Sequence, residues 1–174
     1  MPIWPFRRSQ ASVDSELLLT AATAASRQTA LFGEGRVADT LDGRFETMAL
    51  HGALALIRLR AEPALGPLAQ AFTDDFFRLL DSGLREEGVG DTSVPKRMYR
   101  LASAFYGRLD AYGAAIGARN SEALVAALGR NVMKDEASAF APALAEYALR
   151  VAAHQGERPA SAMFTAEGWP ALQA

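Results

Sequence analysis

Side chains able to do chemistry are few in this sequence. Histidine occurs twice, at 51 and 154, and cysteine is absent. That removes disulfides, thiolate metal sites and thiol catalysis. Neither histidine stands in a His-x-x-x-His or Glu-x-x-His spacing, and zinc needs three or four suitably spaced ligands. A haem iron takes one or two axial ligands, so His51 is the better-placed candidate and would bind haem as a carrier does. The bland reading is stronger: a lone histidine within the apolar run 48–57 is more often a hydrogen-bonded core residue. No Gly-x-Ser-x-Gly elbow is present. The "GEG" at 33–35 and "GVG" at 88–90 lack the spacing and the lysine of a phosphate loop. Asp74 with Asp75, and Glu86 with Glu87, are paired carboxylates in sequence only. Adjacent helical residues diverge by about 100°, so each pair is expected on a solvated face. The inventory points away from an enzyme, a small-molecule substrate and a resident cofactor.

What remains is charge separation. Six acids and two arginines lie between Asp74 and Asp91, whereas four bases and no acid lie between Ser93 and Arg108. Lys96, Arg97 and Arg100 fall within about one helical turn. A helix that is basic on one side and apolar on the other suits an acidic partner, phosphates or anionic lipid. The alternative is a solvated face paired with the acidic helix before it.

The elements that must position these residues are helical nearly throughout, with no strand alternation. The spacing predicts a first helix over 13–32 with Ser12 as cap, ended by "GEG". A second runs over 40–60, apolar enough to be central. A third carries Leu68, Phe72, Phe76, Leu80 and Leu84 in steps of three and four. A turn, "GVGDTSVP", separates it from a fourth, where Ser93 is the expected cap and Pro95 sits in the first turn. The fourth places Met98, Leu101, Phe105, Leu109 and Tyr112 on one stripe. A short helix follows Ser121 and breaks near Gly129, and a last one covers 135–154, delayed or kinked by Pro142. The expected architecture is all-α: a single-domain irregular bundle of about six helices over 13–155. A flexible arm precedes it at 1–12, and a tail at 156–174 docks back through Met163, Phe164 and Trp169.

Composition agrees. The chain has 174 residues, 50% of them apolar and 22% charged, with net charge −2. A chain of this size forms one domain without staples. Its overall charge does not drive nucleic-acid or membrane binding, which leaves that to local patches. No apolar run reaches the roughly 18 residues of a spanning helix. "MPIWPFRRS" lacks the long apolar stretch of a signal peptide. The expected location is cytoplasmic, with peripheral inner-membrane contact as an option, Trp4 and Phe6 beside Arg7 and Arg8 included.

Two stretches, "DTLDGRFETMALHGALALIRL" (39–59) and "FTDDFFRLLDSGLREEGVGDTSVPKRMYRLASAFYGR" (72–108), resemble the ubiquinol–cytochrome c chaperone family. "GVGD", then "KRM", then "AFYGR" is the specific combination, and the resemblance covers about 39–155. Two places depart from the family pattern. Tyr99, Arg100 and Leu101 stand where lysine is commoner, and Glu87 stands where an apolar residue is usual. The resemblance implies an all-α, non-enzymatic assembly factor for the bc1 complex whose client is newly made apocytochrome b. Haem b would enter through that client. Mitochondrial relatives work with a small partner protein near the ribosomal tunnel exit, so a partner subunit, the ribosome or nucleic acid are further candidate contacts. A holder of apolar helices needs an apolar groove with a polar rim. Phe72, Phe76, Phe105, Tyr106 and Tyr112 are expected to border it between the third and fourth helices, with plain core as the alternative. Tyr99 and Tyr106 lie off the inward stripe. The candidate partner-binding set is Lys96, Arg97, Tyr99, Arg100, Phe105, Tyr106, Arg108, Phe76 and Arg44. The last is alternatively a hydrogen-bonding hub at a helix start.

Overall fold

The computed structural model describes residues 8–86 and 93–173. Trp4, Phe6, Glu87 and the 88–90 glycine turn lie outside the described residues. Six α-helices and no strand occur among the described residues. They are α1 (Gln10–Ser26), α2 (Leu41–Arg60), α3 (Gly66–Glu86), α4 (Val94–Gly117), α5 (Ser121–Leu128) and α6 (Ala141–Gly156).

Local signals explain most boundaries. Ser9, not Ser12, caps α1, accepting from the Ser12 amide at 3.2 Å. The helix stops at Ser26 rather than 32. There the Ser26 hydroxyl donates to Thr23 O and the Gln28 amide donates to Ala25 O, which satisfies carbonyls at the helix end. Leu31 is still fully buried, in a 3₁₀ turn, so the apolar pattern outlasts the helix. Gly33 (φ 133°) and Gly35 (φ 70°) occupy backbone that favours glycine, as "GEG" suggests. Thr40 caps α2, accepting from the Gly43 amide at 3.1 Å. Asp42 in the first turn and Arg58 and Arg60 in the last complement the helix dipole. Ser93 precedes α4, but its side chain caps nothing. Asn120 caps α5, which runs on into a π-helical turn, Gly129–Met133, ended by Lys134 in the left-handed region (φ 57°). The Asp135 amide then donates back to Gly129 O, so 135–140 is a connector. Consequently α6 starts at Ala141, with Pro142 in a first turn that needs no N–H.

α2 is the hub, packed against α1, α3, α4 and α6; α3 also packs on α1, and α5 on α4 and α6. Gly52 lets the aromatic layer approach α2: a Cβ there would come 2.7 Å from Phe76 and 3.3 Å from Phe105. Phe72, Phe76, Phe105 and Tyr112 are fully buried, and the rings of Phe76 and Phe105 lie 4.5 Å apart. Burying each phenylalanine contributes about 1.5–3 kcal/mol. The tail returns to the bundle, burying Met163, Trp169 and Leu172 while Phe164 is half-buried.

Candidate functional site

α4 presents two kinds of surface. Its inward stripe, Phe105, Leu109 and Tyr112, is core. Its outward face carries Lys96, Tyr99, Arg100, Ser103, Tyr106 and Gly107, all exposed. Tyr99 is 75% exposed and Tyr106 39%. Seven residues apart, they share one side of the helix. Tyr106 leans on the half-buried Phe77 of α3, ring centroids 5.8 Å apart. The outward face of α4 is therefore aromatic at Tyr99 and Tyr106, beside exposed cations. Among the described residues, Lys96, Arg97 and Arg100 have no ion pair.

The sequence expectation of a groove lined by five aromatics is corrected here. Phe72, Phe76, Phe105 and Tyr112 fill the space between the helices and line no open groove. The same i, i+3, i+4 spacing serves a sealed core and a cleft wall equally. Tyr106 remains on the surface.

Arg108 is corrected as well. It forms a bidentate pair with Glu46 of α2, Nε to Oε2 at 2.6 Å and Nη2 to Oε1 at 2.5 Å, and donates to Ala104 O. Lys134 Nζ reaches Glu46 Oε1 at 2.7 Å. The Glu46 side chain is only 3% exposed, so two cations neutralise a carboxylate inside the bundle. Nothing marked Glu46 or Lys134 in advance except that Glu46 stands amid an apolar helix. Nearby, burial raises the Tyr112 hydroxyl above its ordinary range, and the Glu46 charge adds to this. Arg44 is exposed and donates to Asp39 at 2.7 Å, spanning the start of α2. That hydrogen bond, with the attraction between the charges, holds Asp39 below its ordinary value. Arg44 thus has the hub geometry.

His51 is fully buried, and both ring nitrogens are engaged. Nδ1 lies 2.7 Å from Thr47 O and Nε2 lies 2.7 Å from the Tyr147 hydroxyl. With the proton on Nδ1, His51 donates to Thr47 O and accepts from Tyr147. Tyr147 accepts from Gln28 Nε2 at 3.1 Å, and Gln28 Oε1 accepts from the Leu172 amide at 3.0 Å. The relay joins α2, α6, the end of α1 and the tail. Trp169 covers the imidazole, ring centroids 5.6 Å apart. Desolvation lowers the His51 pKa to about 4, and the same cause pushes Tyr147 up to about 12. A neutral imidazole with both nitrogens occupied offers no ligand to a haem iron, so the haem reading of His51 is corrected. His154 is similarly held, 2.6 Å from Glu167 O and 2.9 Å from Arg158. Among the described residues no three His, Asp or Glu side chains converge to hold a metal. Asp75 is not simply solvated: it accepts from Ser15 of α1 and pairs with Arg78, pinning α1 to α3. No helix among the described residues is long and apolar enough to cross a membrane.

Comparison with known proteins places this arrangement. The ubiquinol–cytochrome c chaperone family model matches residues 34–169. The chain belongs to that family. The crystal structure of the Cbp3 homolog from Brucella abortus is 40% identical, with 95% of this chain and 92% of that one covered and a TM-score of 0.79. No curated protein matches. The family match extends past the 39–155 of the sequence resemblance, and so takes in Trp169 and most of the docked tail. Family membership supports an assembly-chaperone role for the bc1 complex.

Proposed function

We propose that this protein binds newly made cytochrome b and assists maturation of the ubiquinol–cytochrome c reductase complex. The observation that carries the reading, in a chain of this family, is the exposed aromatic face of α4, where Tyr99 and Tyr106 stand one above the other and Tyr106 lies over Phe77 of α3. A polypeptide destined for a membrane exposes apolar helix surface before assembly. An aromatic face rimmed by polar groups takes up such surface reversibly. The role asks for no bond to be made or broken, and the His51 relay and the Glu46 cluster read as scaffold. Arg44, at the exposed start of α2, is a second contact candidate.

The test is recovery of client. A tagged chain should retain apocytochrome b from its own cells. Tyr106→Ser combined with Tyr99→Ser should lower recovery about tenfold while the thermal transition stays in place, two truncated contact residues removing about 1.4 kcal/mol or more. Undiminished recovery would remove this face from the mechanism.

A further inference from the structure

We propose that the first two turns of α4 form a docking surface for anionic lipid, with Lys96, Arg97 and Arg100 engaging headgroups and Tyr99 seated among them. The three cations are exposed and have no ion pair among the described residues, although the sequence holds acids enough to pair them. Tyr99, between them in sequence, is 75% exposed and is among the most exposed large apolar side chains of the described chain. An exposed tyrosine is poorly placed in water alone. Its ring and hydroxyl match the boundary between headgroup and acyl chain.

The surroundings favour a flat negative surface over other anions. Ser103 and Gly107 continue the same side, and a Cβ at Gly107 would meet open space. Beyond the cations the outward side is therefore low in relief at Ser103 and Gly107, on a helix of 24 residues, about 36 Å long. Headgroups can reach Lys96, Arg100 and the ring at once, with Arg97 at the edge, about 100° round the helix from Lys96. A nucleic-acid site would need a longer basic track, and this one stops: Asp110 follows on α4, and Asp81 and Glu86 are carried by α3. Charge complementarity is thus local and shallow, the kind a basic, aromatic amphipathic helix presents to an anionic leaflet.

The test needs no client, so its outcome is separate from that of client capture. The purified full chain is sedimented with vesicles of phosphatidylcholine alone or with about one-third phosphatidylglycerol, at about 50 mM and about 500 mM salt. Binding is expected on the anionic vesicles, with loss at high salt. Lys96→Ala/Arg97→Ala/Arg100→Ala should weaken it about 100-fold, at about fivefold per cation. Tyr99→Ser should weaken it severalfold with its thermal transition unmoved. Equal partition onto neutral vesicles would overturn the proposal, as would a triple variant that binds like the parent. So would a chain that ignores vesicles and uses these three cations to hold a homopolymer RNA or cytochrome b.

Discussion

The cations of α4 divide along the helix. Arg108 points inward and is locked bidentate on Glu46 with Lys134 behind it. Lys96, Arg97 and Arg100, two to three turns earlier, stand in water. One helix thus uses the same chemistry for two purposes. Inside, a cation neutralises a carboxylate that would otherwise be charged in apolar surroundings. Outside, it stays available to whatever negative surface arrives. A guanidinium becomes structural when its partner is buried, and the residue type alone does not settle this.

The largest effect should come from breaking the inner half. Arg108→Ala leaves Glu46 buried with only Lys134 and should cost about 3–5 kcal/mol, read from the urea midpoint. A loss under about 1 kcal/mol would mean that Glu46 is as free as the outer cations and would erase the contrast.

The buried relay sharpens the same point with a proton. His51 in the unfolded chain titrates near 6.5, and in the fold near 4. The unfolded state therefore binds more protons between these values. The stability contributed is fully present above about 6.5 and is lost as pH falls towards 4, about 3 kcal/mol in all. Urea unfolding at pH 7 and pH 5 should show a drop that is smaller in His51→Gln. Equal slopes would place the imidazole in water.

Packing under the outer half of α4 comes next. Gly52→Ala drives a methyl onto the Phe76 ring and should cost about 1–3 kcal/mol, with an unchanged urea slope. If the variant melts like the parent, the aromatic layer has slack and the face above it is softer than its packing indicates.

The smallest effect belongs to the outer half itself. Lys96→Ala/Arg100→Ala should move the urea midpoint by no more than about 0.5 kcal/mol. A larger loss would reveal a hidden partner and join the two halves into one network.

Much of this was readable without coordinates. The apolar steps of α2, α3 and α4 announced their helices and Pro142 marked the delayed start of α6, whereas neither expected cap, Ser12 or Ser93, caps its helix. The failures share a cause: one-dimensional periodicity reports which side of a helix is apolar, not what covers it. Phe76 and Phe105 look alike as core or as groove. Leu31 keeps the helical beat after the helix has ended because a 3₁₀ turn buries it equally well. Glu46 is an unexplained acid amid an apolar helix until Arg108 and Lys134, 62 and 88 positions further along the chain, arrive to neutralise it. Tyr99 and Tyr106 were legible because they fall off the inward stripe, and an off-stripe aromatic is informative by itself.

Lys134 is held to two standards at once. Its backbone lies where glycine or asparagine would be most comfortable, yet its ammonium completes the neutralisation of Glu46. Glycine would relax the turn and strip the carboxylate of a counter-ion, and glutamate would fail on both counts. The position therefore has few acceptable replacements, and natural variation there should be narrow even though the residue lies on the surface and far along the chain from its partner.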